Sequence, residues 1–471
     1  MPLKKIKTEA DYMQFLQQAD PTFTDSVNTI TSTYYIYHQP KLDELAHAAR
    51  NVYNESTFIA RQLIKKHQLV SRKPIEAELK RQTEYQQNNL FNSMGNQQNV
   101  QEIVKMVARN FKAFYQARKA YKKNPKRFSG KPKLPHYISK TTKRHTFRMS
   151  NQALKIKNGY LYHKKLNFKL KIDPAYLGYH LMSTLFVPIH NGFIVRVIFK
   201  VTPRSYQKDN GSYVSIDPGV DNALVCVSNK DYQPLIINGR SIKSINQYYH
   251  KRKAILQSIQ AQSHQLETII HTKKGLKPVY QQTRRMAHLD LIHNRKVDLF
   301  VYKAIKGVVN YALTCNAKII FIGKNKNWKK KVKLGKANNQ NFLGIPHARL
   351  IEKLTAKAAL YGIRVIATNE SYTSQTSFLD HEQPCWSNGT KARLKKNLHP
   401  ANRRIERGLF KSNHKILINA DVNGALQIMK KGYQKLRKLS CKKHIYAFPK
   451  LTFGTGIEDV VLHPVKITPL I

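Results

Sequence analysis

The hydrophobic pattern changes period several times along the chain, and each change marks a different element. TITSTYYIYHQP (29–40) is aromatic and β-branched, which predicts a strand. Leu42, Leu45, Ala49, Val52, Ile59 and Leu63 then recur at helical spacing. A Gln/Asn-rich stretch around 82–99 reads as a connection. A second helix is predicted from about Val100 to Tyr121, apolar at Ile103, Val107, Phe111 and Phe114 and basic at Lys105, Arg109, Lys112, Arg118 and Lys119. From 122 the texture becomes proline-bearing and basic (KKNPKRFSGKPKLPHYISKTTKRHTF). Short runs follow (TFRMS, ALKIKNGYLY, LNFKLKI, LFVPIH, FIVRVIFKV), predicting small strands that we group as a β-barrel-like module over 123–208.

The second half has a different order. YVSID is a short buried strand, and ALVCV and PLIIN suit an antiparallel meander with it. Helical stretches at about 241–270 and 282–316 lead to a buried strand, AKIIFIG (317–323), a helix (346–361), a strand, IRVIAT (363–368), and a helix opening near 420. That order predicts an RNase H-like α/β sheet over 209–436. The tail from 437 reads as basic and irregular. The expected fold class is therefore multidomain α+β. It has a strand segment at 1–40, a helical domain at 41–122, the β module at 123–208, the α/β domain at 209–436 and a basic tail at 437–471.

Charge sharpens the picture. The 471 residues hold 82 Lys+Arg against 27 Asp+Glu, a net +55, while 41% are hydrophobic. Such an excess repels itself unless a polyanion compensates it. A membrane surface also offers negative charge, but basic residues run through most of the chain, which favours nucleic acid. No run approaches the ~18 apolar residues of a membrane span, and MPLKKIKTEADYMQF lacks the apolar core of a signal peptide. Cys226, Cys315, Cys385 and Cys441 form no CxxC pair, so neither a zinc ribbon nor a disulfide framework is expected, and a reducing cytoplasm is.

With acids scarce, their placement is informative. Asp217 ends the strand YVSID; Asp421 starts the last helix. Two-metal phosphodiester hydrolysis needs carboxylates from separate elements converging on one point, with two hard cations about 4 Å apart, and carboxylates suit Mg²⁺ or Mn²⁺. Alone, Asp217 reads as readily as a turn residue before Pro218-Gly219, and Asp421 as a helix cap. Together, in this order and in so basic a chain, they read as metal ligands. No acid follows IIFIG, where Lys324-Asn325-Lys326 stands instead. Glu370, after IRVIAT, is the nearest downstream acid at a strand end, and with neighbouring strands about 4.8 Å apart it is within reach of the same point. Glu352 on a helix and Asp380 in a loop compete less well.

SIDPGVDNALVCVSN, PLIINGRSIKSINQYY, IFIGKNKNWKK, ANNQNFLGIPHARLIEKLTAKAALYGIRV, NESYTSQTSFLD, RRIERGLFKS and INADVNGALQI resemble, in order, the transposon-encoded TnpB (OrfB) family, strongly over about 205–432. The likeness is weaker upstream, through YYIYHQPKLDELAHAARNVYNEST and KPKLPHY. That family is similar in plan to compact type V CRISPR effectors. The resemblance implies an RNA-guided DNA endonuclease with a RuvC-like nuclease domain, a helical recognition lobe and a β-barrel wedge. Its partners would be a guide RNA from the transposon end and a double-stranded DNA target with a short flanking motif, and its site of work the prokaryotic cytoplasm, at the nucleoid. Asp217, Glu370 and Asp421 would hold two Mg²⁺ or Mn²⁺ ions. The chain departs from the family twice. Its usual middle Glu is missing around Gly323–Asn325, with Glu370 in the NESYTS segment as the replacement. The stretch 375–412, where many members carry a Cys₄ zinc ribbon, holds only Cys385, so no zinc is expected. The lost Glu also motivates an alternative, a nuclease-inactive RNA-guided DNA-binding repressor. Expected nucleic-acid contacts are Lys122, Lys123, Lys126, Arg127, Lys131, Lys133, Lys140, Lys143 and Arg144, with Lys329, Lys330 and Lys331 as a second run.

Overall fold

The computed structural model describes residues 29–469, except 38, 140–142, 164–165, 191, 203–205, 207–208, 264–265, 273–274, 281, 325–343, 372, 383–402, 407 and 444–450. The chain divides into two compact units, 28–202 and the part from Pro203 onward.

In the first unit, strand β1 (Thr29–Tyr37) precedes three helices, α1 (Pro40–Lys65), α2 (Arg72–Glu84) and α3 (Gln97–Lys123). The polar stretch expected to connect two helices thus begins inside α2, whose apolar contribution is only Ile75 and Leu79. Six strands follow: β2 (Phe147–Ser150), β3 (Lys155–Lys157), β4 (Tyr160–His163), β5 (Phe168–Lys171), β6 (His180–Ile189) and β7 (Gly192–Lys200). With β1 they form a four-stranded sheet, β1-β7-β6-β2, and a three-stranded meander, β3-β4-β5. β1 runs antiparallel to β7 from Thr29↔Lys200 to Tyr37↔Gly192. Gly192, at φ 155°, is where the β6–β7 turn meets Tyr37, and a Cβ there would collide with the Ile36 carbonyl. One core joins helices and sheet through Leu42, Val52, Ile103, Val107, Phe111, Phe147, Phe186 and Phe193.

The second unit is built on a six-stranded sheet. β8 (Tyr213–Asp217), β9 (Asn222–Ser228) and β10 (Leu235–Asn238) form the antiparallel meander. Helices α4 (Arg240–Gln262) and α5 (Arg284–Thr314) are joined by a hairpin, β11 (Leu266–Thr272) and β12 (Gly275–Tyr280). β13 (Ile319–Gly323) then pairs parallel to β8, and after α6 (His347–Ala359) strand β14 (Arg364–Thr368) pairs parallel to β13. A small sheet, β15 (Arg404–Glu406), β16 (Leu409–Lys411) and β17 (Leu417–Asn419), leads into α7 (Ala420–Lys443). The tail departs from the expected irregular segment. α7 continues to Lys443, a short helix α8 spans Ile457–Val460, and β18 (Val465–Ile467) adds a parallel strand to β10. Unpaired edge groups on β10 make this addition favourable, a signal too short to stand out from the basic residues around it.

The final order is β14-β13-β8-β9-β10-β18. Helices cover both faces. Val214, Ile216, Ile320 and Ile322 pack with Phe300, Ile305, Leu350 and Leu354 of α5 and α6. Tyr213, Ile319, Phe321 and Ile366 pack with Val422, Leu426, Ile428 and Met429 of α7. Among the described residues no helix is long and apolar enough to cross a membrane.

Candidate active site

Strand alternation sets the site's direction. Side chains on a strand alternate faces with a period of two. Tyr213 faces α7 and Val214 and Ile216 face away, so Asp217, at the end of β8, points to the α7 side. The same parity puts Gly323 at the end of β13 on that side, since Ile319 and Phe321 face α7. Gly323 pairs with Thr368 of β14, and the Lys324 N–H donates to the Thr368 carbonyl at 2.8 Å. Glu370 follows two residues later.

α7 closes the site. Asn419 caps it, its Oδ1 accepting from the Asp421 and Val422 amides at 3.0 and 3.2 Å, so Asp421 is released from capping. Instead its Oδ2 accepts from Asn222 Nδ2 of β9 at 2.8 Å. Ser215 Oγ donates to the Ala425 carbonyl at 2.5 Å, fastening β8 to the first turns of α7. Close approach here requires glycine: a Cβ on Gly424 would stand 2.7 Å from Asp217 Oδ2. Gly323 is comparable, because a Cβ there would collide with Glu370 Oε2 and lie 3.0 Å from Ile428 Cδ1. Glu370 thus occupies the space in front of Gly323, the strand end that separates β14 from β8.

The electrostatics follow from this crowding. Asp217 is held well above the usual carboxylate range, first by burial, then by the negative charges of Glu370 and Asp421; Arg404 opposes the shift. Burial raises Glu370 to about 7 against the pull of the Lys431 ammonium. All three carboxylates are therefore electrostatic neighbours. They do not form a closed cage: among the described residues no group of three or more His, Cys, Asp or Glu is already arranged to hold a metal ion. Carboxylates that repel one another stay apart until a hard cation supplies the neutralising charge. Asn222, Arg404 and Lys431 had no distinguishing signal in the sequence, since only the fold brings them near the acids.

The other expected residues are dispersed. Glu352 is exposed on α6. Asp380 accepts the Asn413 amide with both oxygens, at 3.1 and 2.9 Å, while Glu382 pairs with Arg403 at 2.7 Å, so polar bonds join the two turns of the insert. Asn423 is fully buried and uses its amide on the Thr376 carbonyl (2.8 Å) and the Phe378 amide (2.7 Å). Among the basic candidates, Lys122, Lys123, Lys126, Arg127, Lys131, Lys133 and Lys143 are exposed. The segment bearing Lys131 and Lys133 is tied to α1. Asn54 brackets Ile138, donating to its carbonyl at 3.1 Å and accepting from its amide at 2.8 Å, and Arg61 donates to the Pro135 carbonyl at 2.6 Å. Arg144 has a different place from its neighbours: its guanidinium donates to Asp43 at 2.6 Å and to the Ile189 and His190 carbonyls. Lys140, Lys329, Lys330 and Lys331 lie outside the described residues.

Two family models match the chain: OrfB_IS605, a probable transposase, over residues 196–329, and the Cas12f1-like TNB domain over 347–428. One stretch of the chain is thus similar to a probable transposase and a later one to the Cas12f1-like TNB domain. More particularly, both matches agree with the likeness to TnpB-like compact type V effectors that the sequence motifs carry. No curated protein matches its sequence. Similar solved structures include a cryo-EM Cas12f1–sgRNA–target DNA complex (TM-score 0.32, 16% identity, covering 85% of this chain and 98% of that one). A CRISPR-Cas12f ternary complex follows at 0.31 and 15%, covering 90% and 85%. A Cas12i(E894A)–crRNA–dsDNA complex stands at 0.26 and 11%, covering 42% and 30%.

Proposed function

We propose that the protein is an RNA-guided DNA endonuclease whose second unit is an RNase H-like (RuvC-type) nuclease domain with Asp217, Glu370 and Asp421 as its ligands for two Mg²⁺ or Mn²⁺ ions. The observation that carries the reading is Glu370 lying in front of Gly323. A carboxylate from the turn after β14 fills the space at the end of β13 and interacts with Asp217, while α7 brings Asp421 from the other direction. The sheet supports the same reading: a meander of three antiparallel strands extended on the β8 side by two parallel strands, with the acids at the ends of β8 and beyond β14.

The donor set suits hard divalent cations, being all carboxylate oxygen in a cradle lined by Gly323 and Gly424. When bound, the cations would activate water and neutralise charge developing on the scissile phosphate. The chain's own residues do the rest. Asn222 orients Asp421, α7 and the sheet enclose the acids, and Arg404 supplies positive charge beside Asp217 for an incoming phosphate. Water attacks phosphorus, the bond to the 3′ oxygen breaks, and that oxygen takes a proton, leaving a 5′-phosphate and a 3′-hydroxyl.

The net charge of +55 supports a nucleic-acid scaffold. Guide RNA pairing with target DNA would read sequence, with the protein holding backbones and reading a short flanking motif. The exposed Lys122, Lys123, Lys126, Arg127 and Lys143, together with Lys131 and Lys133 on the segment fastened to α1, are the proposed backbone contacts. The first unit would serve as recognition lobe and wedge. No zinc is assigned to the stretch 375–412, which holds only Cys385. A prokaryotic, nucleoid-associated setting follows from this reading. The test is to sequence the RNA that co-purifies with the protein and supply matching DNA with Mg²⁺. Guided cutting, lost in Asp217→Ala with RNA retained, supports the proposal; guided binding without cutting favours the nuclease-inactive repressor.

A further inference from the structure

α7 carries a polar, largely buried face beside the one that bears Asp421. Asn423, Gln427, Lys430, Lys431 and Lys435 recur at helical spacing and bond the chain that runs on from β14. Lys435 Nζ donates to the Ala367 carbonyl at 3.3 Å and Lys431 Nζ to the Ser371 carbonyl at 2.7 Å. Further along, Gln427 Nε2 and Lys430 Nζ both donate to the Glu382 carbonyl, at 3.2 and 3.1 Å. Lys431 is only 1% exposed. Burying an ammonium is costly unless hydrogen bonds and nearby negative charge offset it, so simple packing would favour an apolar residue here.

The place where Lys431 acts is the turn that carries Glu370. Glu370 lies beyond the last paired residue of β14, so no ladder aims its side chain. The turn is shaped locally: Ser371 N–H donates to Asn369 Oδ1 at 2.7 Å, and Thr373 donates to the Glu370 carbonyl through its amide (3.2 Å) and its hydroxyl (2.8 Å). Lys431 adds a bond from outside the turn, reaching from the helix that also bears Asp421, and its charge acts on Glu370.

We infer that Lys431 is the positioning residue for Glu370: from the buried face of α7 its ammonium holds the Asn369–Ser371 turn, keeping the Glu370 carboxylate over Gly323. This rests on reading Glu370 as the third ligand. A carboxylate supplied by a loop needs a holder that one at a strand end does not.

The test compares Lys431→Met, which keeps the apolar stem, with Lys431→Arg, which keeps the charge; Lys431→Gln replaces the Met variant should that not fold. Lys430→Met is the control, because Lys430 holds Glu382 rather than this turn. Amide hydrogen exchange over 369–373 is measured on each ribonucleoprotein, alongside Mg²⁺-dependent cleavage. The expected result is faster exchange over 369–373 and a 10- to 100-fold loss of cleavage in Lys431→Met, substantial recovery of both in Lys431→Arg, and unchanged exchange at 369–373 in Lys430→Met. Unchanged exchange in Lys431→Met, or no recovery with arginine, overturns the inference. A wild-type protein that never cuts overturns the nuclease reading instead, and the exchange data still decide whether Lys431 holds the turn.

Discussion

Glu370 reaches into the space that the missing side chain of Gly323 leaves: a Cβ on Gly323 would collide with Glu370 Oε2 and stand 3.3 Å from Glu370 Cβ. Gly323 ends β13 and Glu370 lies in the turn just beyond the neighbouring parallel strand β14, so the glycine lets a carboxylate from that turn serve at the end of β13.

Gly323→Ala therefore separates folding from chemistry. The clashing atom is the far end of a flexible side chain, so the fold accommodates the methyl group while the carboxylate moves. We expect a thermal midpoint close to wild type and a cleavage rate about a hundredfold lower, the scale of a catalytic group displaced by about 1 Å. Gly323→Glu combined with Glu370→Ser returns the carboxylate to β13 and is expected to recover part of that loss; guided cleavage assays check both.

Gly424→Ala makes a similar separation on α7. Replacing a helical glycine by alanine favours the helix by about 1 kcal/mol, yet the new Cβ would lie 2.7 Å from Asp217 Oδ2. The expected outcome is stability maintained or raised, measured by denaturant unfolding, with cleavage reduced.

The protonation of Glu370 gives a pH dependence. Its carboxyl titrates at about 7 in the fold against 4.5 ordinarily, burial being the cause. The folded form thus keeps a proton that the unfolded chain releases, and with no cation present this group costs stability as pH rises from 4.5 to about 7. A divalent cation needs the ionised form, so Mn²⁺ affinity, measured by calorimetry, is expected to increase as pH rises through about 7. In Glu370→Gln both slopes should flatten.

Asn423→Ala removes a fully buried side chain that bonds Thr376 and Phe378. Leaving that buried amide and carbonyl without those bonds is expected to cost about 1–3 kcal/mol each at most, read as a lower unfolding midpoint.

Much of this arrangement was legible in the sequence where periodicity and local chemistry agree. YVSID, IIFIG and IRVIAT are short and mostly apolar, broken only by Ser215 and Arg364 before their ends, and each became a buried strand. The strand parity that points Asp217 toward α7 follows from the same run. Less legible were features that depend on distant partners. Asn222, Lys431 and Arg404 look like ordinary polar residues until the sheet and α7 assemble. Arg144 sits in a basic run but was drawn to Asp43, a hundred and one positions away in sequence. β18 was hidden because three residues carry no period of their own and form a strand only where β10 offers an edge.

The most direct measurement of the central claim is guided, Mg²⁺-dependent DNA cleavage by the purified ribonucleoprotein with Glu370→Gln set beside wild type. The account predicts cutting by wild type and its loss in the variant, with guide RNA and target binding kept. Undiminished cutting by Glu370→Gln would contradict it.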